Sequence, residues 1–513
     1  MIAESHIIDK VFLEVQTRSE KEGIIMKDNI SDFLHTEIFP ALENLFDEYG
    51  QNEIIRFEKL AIDLMVADWN NKENIKEELL TSVKKKLENG RKITELVVDV
   101  KEIEPNIANR PKLVSKQLID QKRNKQAVFL FFLKNGCLPW YGRQAHLNEL
   151  TELKKWEENL DDLQFLNRVK ALLKEQKYAV ERMVFQFANK QVLTLLKFLD
   201  VIKIEDNNHL QSFVEKLNVA ERNMLLYYLL QCSIEESVPK NNLLRFSQLY
   251  LLRQTKKKDI DHSAAKITDS LSRNFKSIFK NETYFQFLQF SEKEIDTIKI
   301  EELLSGAHLG KESEEFDKRI LEGKSTIISQ ELFKSEREKE QPFFEKSMNS
   351  ILVQNAGLVL FHPFISQFFK NFKWLSEKSK IKSEFRYHAV QTLHFIATGN
   401  EDFFEDNMLL EKFLCGISLT KSVPVQSLLN AGIKEEANKL LESVIMHWEA
   451  IGNTSPAGLR EGFVLRDGKL IRKDNGYKLV VERKTLDILL DQLPWNISLV
   501  KLPWKDELLY VEW

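Results

Sequence analysis

Apolar and polar positions along this chain change their period several times, and the changes divide it into three parts. From Lys10 to Val15 they alternate, with Val11, Leu13 and Val15 on one side, which predicts a half-buried strand. Ile30, Phe33, Leu34, Ile38, Ala41, Leu42 and Leu45 then recur at spacings of three and four. That is one face of an amphipathic helix, with a kink expected at Pro40. Ile55 and Phe57 alternate, as do Leu60, Ile62 and Leu64; the parity slips between Phe57 and Leu60, which predicts a bulge or a break. A second helix is expected around Ile75, Leu79, Val83 and Leu87. Residues 1–104 therefore read as a strand-helix-strand α/β module. Pro105, Asn106, Asn109 and Pro111 then mark a linker over Glu104 to Pro111.

From 112 to 345 the pattern is helical. Leu163, Leu166, Val169 and Leu173 share one face, as do Leu193, Leu196 and Leu199. No tandem repeat and no sustained heptad register is present. Thr255 to Asp261 and Gly306 to Glu315 read as loops, and the acidic and basic run Lys334 to Gln341, ending at Pro342, marks a boundary. Residues 346–513 begin with helices and end in strands. Asp467-Gly468 and Asn475-Gly476 separate short alternating runs, and both dipeptides suit type I′ turns. They predict a three-stranded meander, followed by a short helix from Lys484 to Gln492 and a last strand over Leu508 to Trp513. The fold class is thus mainly α with smaller α/β (N-terminal) and β-meander (C-terminal) elements, in a multi-domain chain.

Composition narrows the function. Among 513 residues, 43% are hydrophobic and 30% charged, proportions of a folded protein rather than a disordered one. Lys plus Arg total 74 against 78 Asp plus Glu, so no net electrostatic pull toward nucleic acid or anionic membrane follows. Cys137, Cys232 and Cys415 lie far apart, which argues against a disulfide framework or zinc site and fits a reducing cytoplasm. Met1 to Lys10 lacks the apolar stretch of a secretory signal, and the most apolar short run, Ala127 to Leu133, is far below the length of a membrane span.

Catalytic patterns are weak. Gly323-Lys324-Ser325-Thr326 resembles the end of a phosphate-binding loop, but the glycine needed five residues earlier is Lys318. His388 and His394 are six apart, which puts them on different helical faces, and His362 before Pro363 reads as a helix-entry residue bonding the backbone. Lys256, Lys257 and Lys258 lack the interleaved aromatics of a stacking platform. No enzyme activity, cofactor or metal is expected.

The tail carries the distinctive pattern. Leu493-Pro494-Trp495 and Leu502-Pro503-Trp504 stand nine residues apart, followed by Tyr510 and Trp513. Such residues either close a module's own core or anchor an interface. Trp495, Trp504, Tyr510, Trp513, Pro494, Pro503 and, in a matching Leu138-Pro139-Trp140 segment, Trp140 are the candidate interaction residues. With these residues, Leu486 to Trp495, Lys501 to Trp504 and Tyr510 to Trp513 resemble the terminus of the contractile injection system tape measure protein family. Ala356 to Phe364, His388 to Phe395 with Ala397 to Gly399, Leu414-Cys415-Gly416 and His447-Trp448 follow that family's order, and His6-Ile7-Ile8 resembles its start.

The resemblance implies a component of a bacterial, phage-tail-like particle, with tube, baseplate and spike as candidate partners and no nucleic acid or membrane insertion. It implies a role in tube length control or in tube initiation at the baseplate. The alternative is a soluble, chaperone-like assembly factor binding tube, baseplate or cargo. Assembly is expected in the bacterial cytoplasm, with retention in the finished particle left open.

Overall fold

The computed structural model describes, with short interruptions, residues 8–88, 116–234 and 349–513. The expected linker at 104–111, the loops at 255–261 and 306–315, the boundary run at 334–341, the Lys256–Lys258 cluster and the Gly323–Thr326 segment lie outside the described residues. Described residues are mainly helical, with their larger sheet near the C-terminal end. The chain divides into two compact units, residues 1–129 with 139–150, and residues 130–138 with 151–513.

In the first unit, α1 (Glu20–Phe33) and α2 (Phe39–Asp47) are separated by a wide π turn, Leu34–Ile38. Pro40 falls in the first turn of α2, where a missing N–H leaves no helical bond unmade; the irregularity expected at Pro40 is taken up just before it. β1 (Ile54–Phe57) bears out the strand read from Ile55 and Phe57, and α3 (Lys72–Glu88) the second helix. Phe33, Ile38, Leu42 and Leu45 bury against Ile75, Val83 and Leu87 of α3, with Phe57, Leu60, Ile62 and Leu64 packed on that cluster. Leu60 to Leu64 form no strand; Leu60, Ile62 and Leu64 cover the core after the break that the parity slip indicated. The partner of β1 is β2 (Lys116–Ile119), antiparallel, with Ile54 opposite Ile119. The alternating segment around Val11, Leu13 and Val15 shows no strand where it is described, and these side chains are about half exposed. Among the described residues the sheet of this unit is β1 with β2 alone. α4 (Gln121–Asn135) and α5 (Gln144–Leu150) follow.

The second unit takes in the end of α4 from Leu130 onward and continues with α6 (Leu153–Leu160), α7 (Leu163–Glu175), α8 (Lys177–Gln186) and α9 (Asn189–Phe198). Asp162 caps α7 by accepting from the amides of Gln164 at 3.0 Å and Phe165 at 3.4 Å, which answers donors left open at a helix start. The predicted stripes are buried at Val169, Leu173, Leu193 and Leu196, whereas Leu163 at the helix start is exposed. α10 (Val219–Ile234) packs on α8 and α9.

After β3 (Ser350–Val353) come α11 (His362–Asn371), α12 (Arg386–Thr398), α13 (Leu409–Leu414) and α14 (Ala431–His447), around one core with the sheet on its flank. That sheet has five strands in the order β3-β4-β5-β7-β6, with β4 Gly468–Lys473, β5 Gly476–Val481, β6 Leu499–Val500 and β7 Leu509–Glu512. Only β5 and β7 run parallel. Ile351, Val353, Leu470, Leu479, Val481 and Leu509 face the core.

The two turn signals resolve differently. The hairpin loop is Asp474-Asn475, since Lys473 pairs with Gly476; neither loop residue has positive φ, while Gly476 takes φ 130°. The turn sits one residue before the Asn-Gly dipeptide. Asp467-Gly468 makes no hairpin, because the other neighbour of β4 is β3, more than a hundred residues upstream. Gly468 is needed for packing: a Cβ there would lie 2.7 Å from that of Ala356.

Candidate functional site

The tail is laid over its own unit. In both Leu-Pro-Trp segments the proline faces out and the leucine and tryptophan turn inward. Proline has no N–H to leave unsatisfied, so the exposed position suits it. Trp504 is buried; its Nε1–H donates to the Leu414 carbonyl at 2.7 Å and its ring lies 5.2 Å from Phe369. Trp495, half-buried, donates to the Leu360 carbonyl at 3.0 Å and meets Phe364 edge-on. Trp513 donates to Asp487 Oδ2 at 3.0 Å, and Asp487 also accepts from buried Arg466. Tyr510 differs: it stands on the outward side of β7 and is 44% exposed. Trp140, in the first unit, is 38% exposed and touches Tyr141 edge-on. The structure therefore brings the tail tryptophans onto the second unit's core, and leaves Tyr510, Pro494 and Pro503 on its surface.

His362 Nε2 is 2.9 Å from the carbonyl of Asn496, so it meets backbone as expected, but that of the tail. His394 is buried with Nδ1 3.1 Å from Glu411 Oε1, an oxygen that also accepts from Asn355 Nδ2 at 2.9 Å. His388 packs by Trp374 and Phe385, and burial pushes its pKa down to about 4.

Sequence reasoning missed the main polar feature, a wholly buried charge cluster. Arg182 on α8 forms a two-point contact with Glu405, Nε to Oε2 at 3.0 Å and Nη2 to Oε1 at 3.2 Å. Lys412 on α13 donates to Glu405 Oε1 and to the Leu419 carbonyl, both at 2.6 Å. Ser422 donates to Glu405 Oε2 at 3.1 Å, and Arg182 further donates to the carbonyls of Leu133 and Thr420. All three charged side chains are fully buried. Gln186 reinforces the joint by accepting from the Glu405 amide at 2.9 Å.

Burial, only partly opposed by Glu405, lowers the Lys412 pKa. The neighbouring Asp406 accepts from the Leu138 amide at 2.6 Å, yet burial raises its carboxyl to about 6. Burial also holds the Cys137 thiol protonated, well above the usual range. Such a cluster does not offer a poised nucleophile; its groups are saturated by one another. The signal was there to be read: Glu181-Arg182 and Glu411-Lys412 are charged pairs inside otherwise apolar helices, and such pairs need partners when buried.

Among the described residues no group of three or more His, Cys, Asp or Glu side chains is arranged to hold a metal, and no helix is long and apolar enough to cross a membrane. The chain belongs to the contractile injection system tape measure protein family, whose model matches residues 5–513. It is therefore a structural component of a contractile injection particle, with other particle components as its partners. No curated protein and no solved structure matches the chain.

Proposed function

We propose that this chain acts in the cytoplasm while the particle is being built, as a folded platform at the baseplate from which the tube starts. The single observation that supports this over an extended ruler is the Arg182–Glu405 joint, which ties positions 223 residues apart into one buried contact. A ruler works by being drawn out along its product at about 1.5 Å per helical residue. Drawing out this chain would separate Arg182 from Glu405 and expose to water the apolar core packed around them, at the cost of the unit's folding free energy, about 5–15 kcal/mol for an ordinary domain. The tail adds to the same closure, since Trp504 and Trp495 bond the backbone of residues 90 and 135 positions upstream. A platform keeps these contacts intact, and tube, baseplate and spike components are the partners it would meet.

The test is a deletion of about 20 residues between positions 270 and 300 in the native host. Tube lengths are then read by electron microscopy, and purified particles are assayed for the chain. A platform gives tubes of unchanged length. Tubes shorter by about 30 Å with a narrow spread would establish a ruler. Normal particles that lack the chain would establish a soluble, chaperone-like factor.

A further inference from the structure

We infer that the outward face of the five-stranded sheet is the docking surface of this chain for another particle component, one presenting an acidic rim around an apolar centre. The inference rests on the assembly role proposed above and names the surface that would serve it. In a sheet with one face on the core, the other face is ordinarily polar. Here the strand register sets Leu499, Tyr510, Lys478 and Ile471 in one row across the sheet, and Leu352, Lys469, Val480 and Glu512 in the next. Leu352, Leu499 and Tyr510 are 54%, 45% and 44% exposed, and Ile471 and Val480 are partly exposed. At about 4.8 Å per strand, the apolar positions spread over roughly 19 Å, the breadth of a recognition patch rather than of scattered residues.

The charge on this face is net positive. Lys469, Lys473 and Lys478 all point outward by the same register, against Glu512, which is already bonded to Lys478. Among the described residues no carboxylate forms an ion pair with Lys469 or Lys473. The chain as a whole is slightly acidic, with formal net charge −4, so a lysine-rich face around exposed aromatic and aliphatic groups is a local departure that selects an acidic protein partner. Tyrosine at such a centre is a usual anchor, and the surrounding lysines would govern encounter rate and salt dependence. A second copy of this chain fits less well, since it would present the same lysines.

The experiment places a photo-crosslinking benzophenone amino acid at Tyr510 in the full chain in its native host, with a control at Met446, which is 75% exposed on α14. The expected result is a cross-link from position 510 to one particle component with an acidic surface. It should be weakened roughly tenfold by K469E/K473E, the equivalent of about 1.4 kcal/mol, and weakened also by raised salt during assembly in extract. Thermal unfolding of K469E/K473E should match that of the parent, since both side chains lie on the outward face. Cross-links to a second copy, or none beyond those from position 446, would overturn the docking surface. Loss of particles on deleting the whole gene, with normal particles from K469E/K473E and from Tyr510→Ala, would remove this proposal while leaving the assembly role standing. Normal particles after gene deletion would remove the assembly role itself.

Discussion

Gly136 shows how closely one residue is tied to the buried charges. It takes φ 74°, and a Cβ there would sit 2.6 Å from Glu405 Oε1 and 2.8 Å from the Leu419 carbonyl. Gly416 has nearly the same backbone, φ 69°, but faces open space. Gly136→Ala should therefore cost about 3 kcal/mol or more, and Gly416→Ala only the left-handed penalty of about 1 kcal/mol; urea denaturation of the two variants measures the difference. Asp406 adds a pH signature. Its folded pKa is raised to about 6 from an unfolded value near 3.9. A carboxyl raised in this way contributes stability that is present below the unfolded pKa and lost as pH rises through the folded one. Asp406→Asn keeps an acceptor for the Leu138 amide and removes the titration. Its stability relative to the parent should be near zero at pH 4 and rise between pH 4 and 6 to a plateau of at most about 3 kcal/mol, read from denaturation midpoints across that range. Equal differences at pH 4.5 and pH 7.5 would show that Asp406 does not titrate there. His388, held near 4 by burial, works the other way: its neutral form favours folding, so stability on its account falls as pH drops below about 6.5. Because it is common to both proteins, it cancels in the difference.

At the scale of elements, the tail is a strap whose two Leu-Pro-Trp segments repeat one arrangement with unequal burial. Trp504→Phe removes the donor to the Leu414 carbonyl inside the core, and leaves that acceptor unpaired in a site with little access to water. Trp495→Phe removes the donor to the Leu360 carbonyl at a half-buried site that water can reach. The first should cost about 2 kcal/mol and the second under about 1 kcal/mol; thermal melts that ranked them in reverse would contradict the observed seating of the tail. The sheet edge shows a related economy. Its last strand, β6, has two residues, and β3 at the opposite edge has four. Short edges limit unwanted strand addition, which leaves the outward face, not the edges, for contact.

For the molecule, the joint at Arg182, Glu405 and Lys412 makes distant stretches of sequence one cooperative piece. Glu405→Ala would leave two buried cations together, and should loosen α8 and residues 403–423 at once. Hydrogen exchange should report faster amide exchange in both segments together, by about 3–5 kcal/mol in opening free energy, although more than two hundred residues separate them. Exchange that quickened only near residue 405 would mean that the two segments are held independently. A structural component that meets its partners as a folded body depends on such joints.

Reading forward from residue types, much of the architecture follows from period alone. The stripes of α2, α3, α7 and α9, the alternation of β5 and the final strand, and the helical class were all legible, because burial on one face imposes a spacing that short windows reveal. The tail pattern, together with the ordered series of segments upstream of it, also sufficed to recognise the family that the match over residues 5–513 establishes. Pairing was not legible. The strand-like run at Val11 to Val15 pairs with no strand among the described residues, Asp467-Gly468 met Ala356 rather than a turn, and β4 found its second neighbour at β3, since hydrogen-bond partners in a sheet are chosen by the whole chain. The same holds for the candidate residues: Trp504 and Tyr510 look alike in sequence, six positions apart, and only the packing of α11, α13 and β7 turned one into the core and the other outward. Arg182 and Lys412 carried local hints of burial, but Glu405 became their common partner only when the fold brought α8 beside residues 403–423, because an ion pair is stable in a core only where three-dimensional proximity supplies the missing bonds.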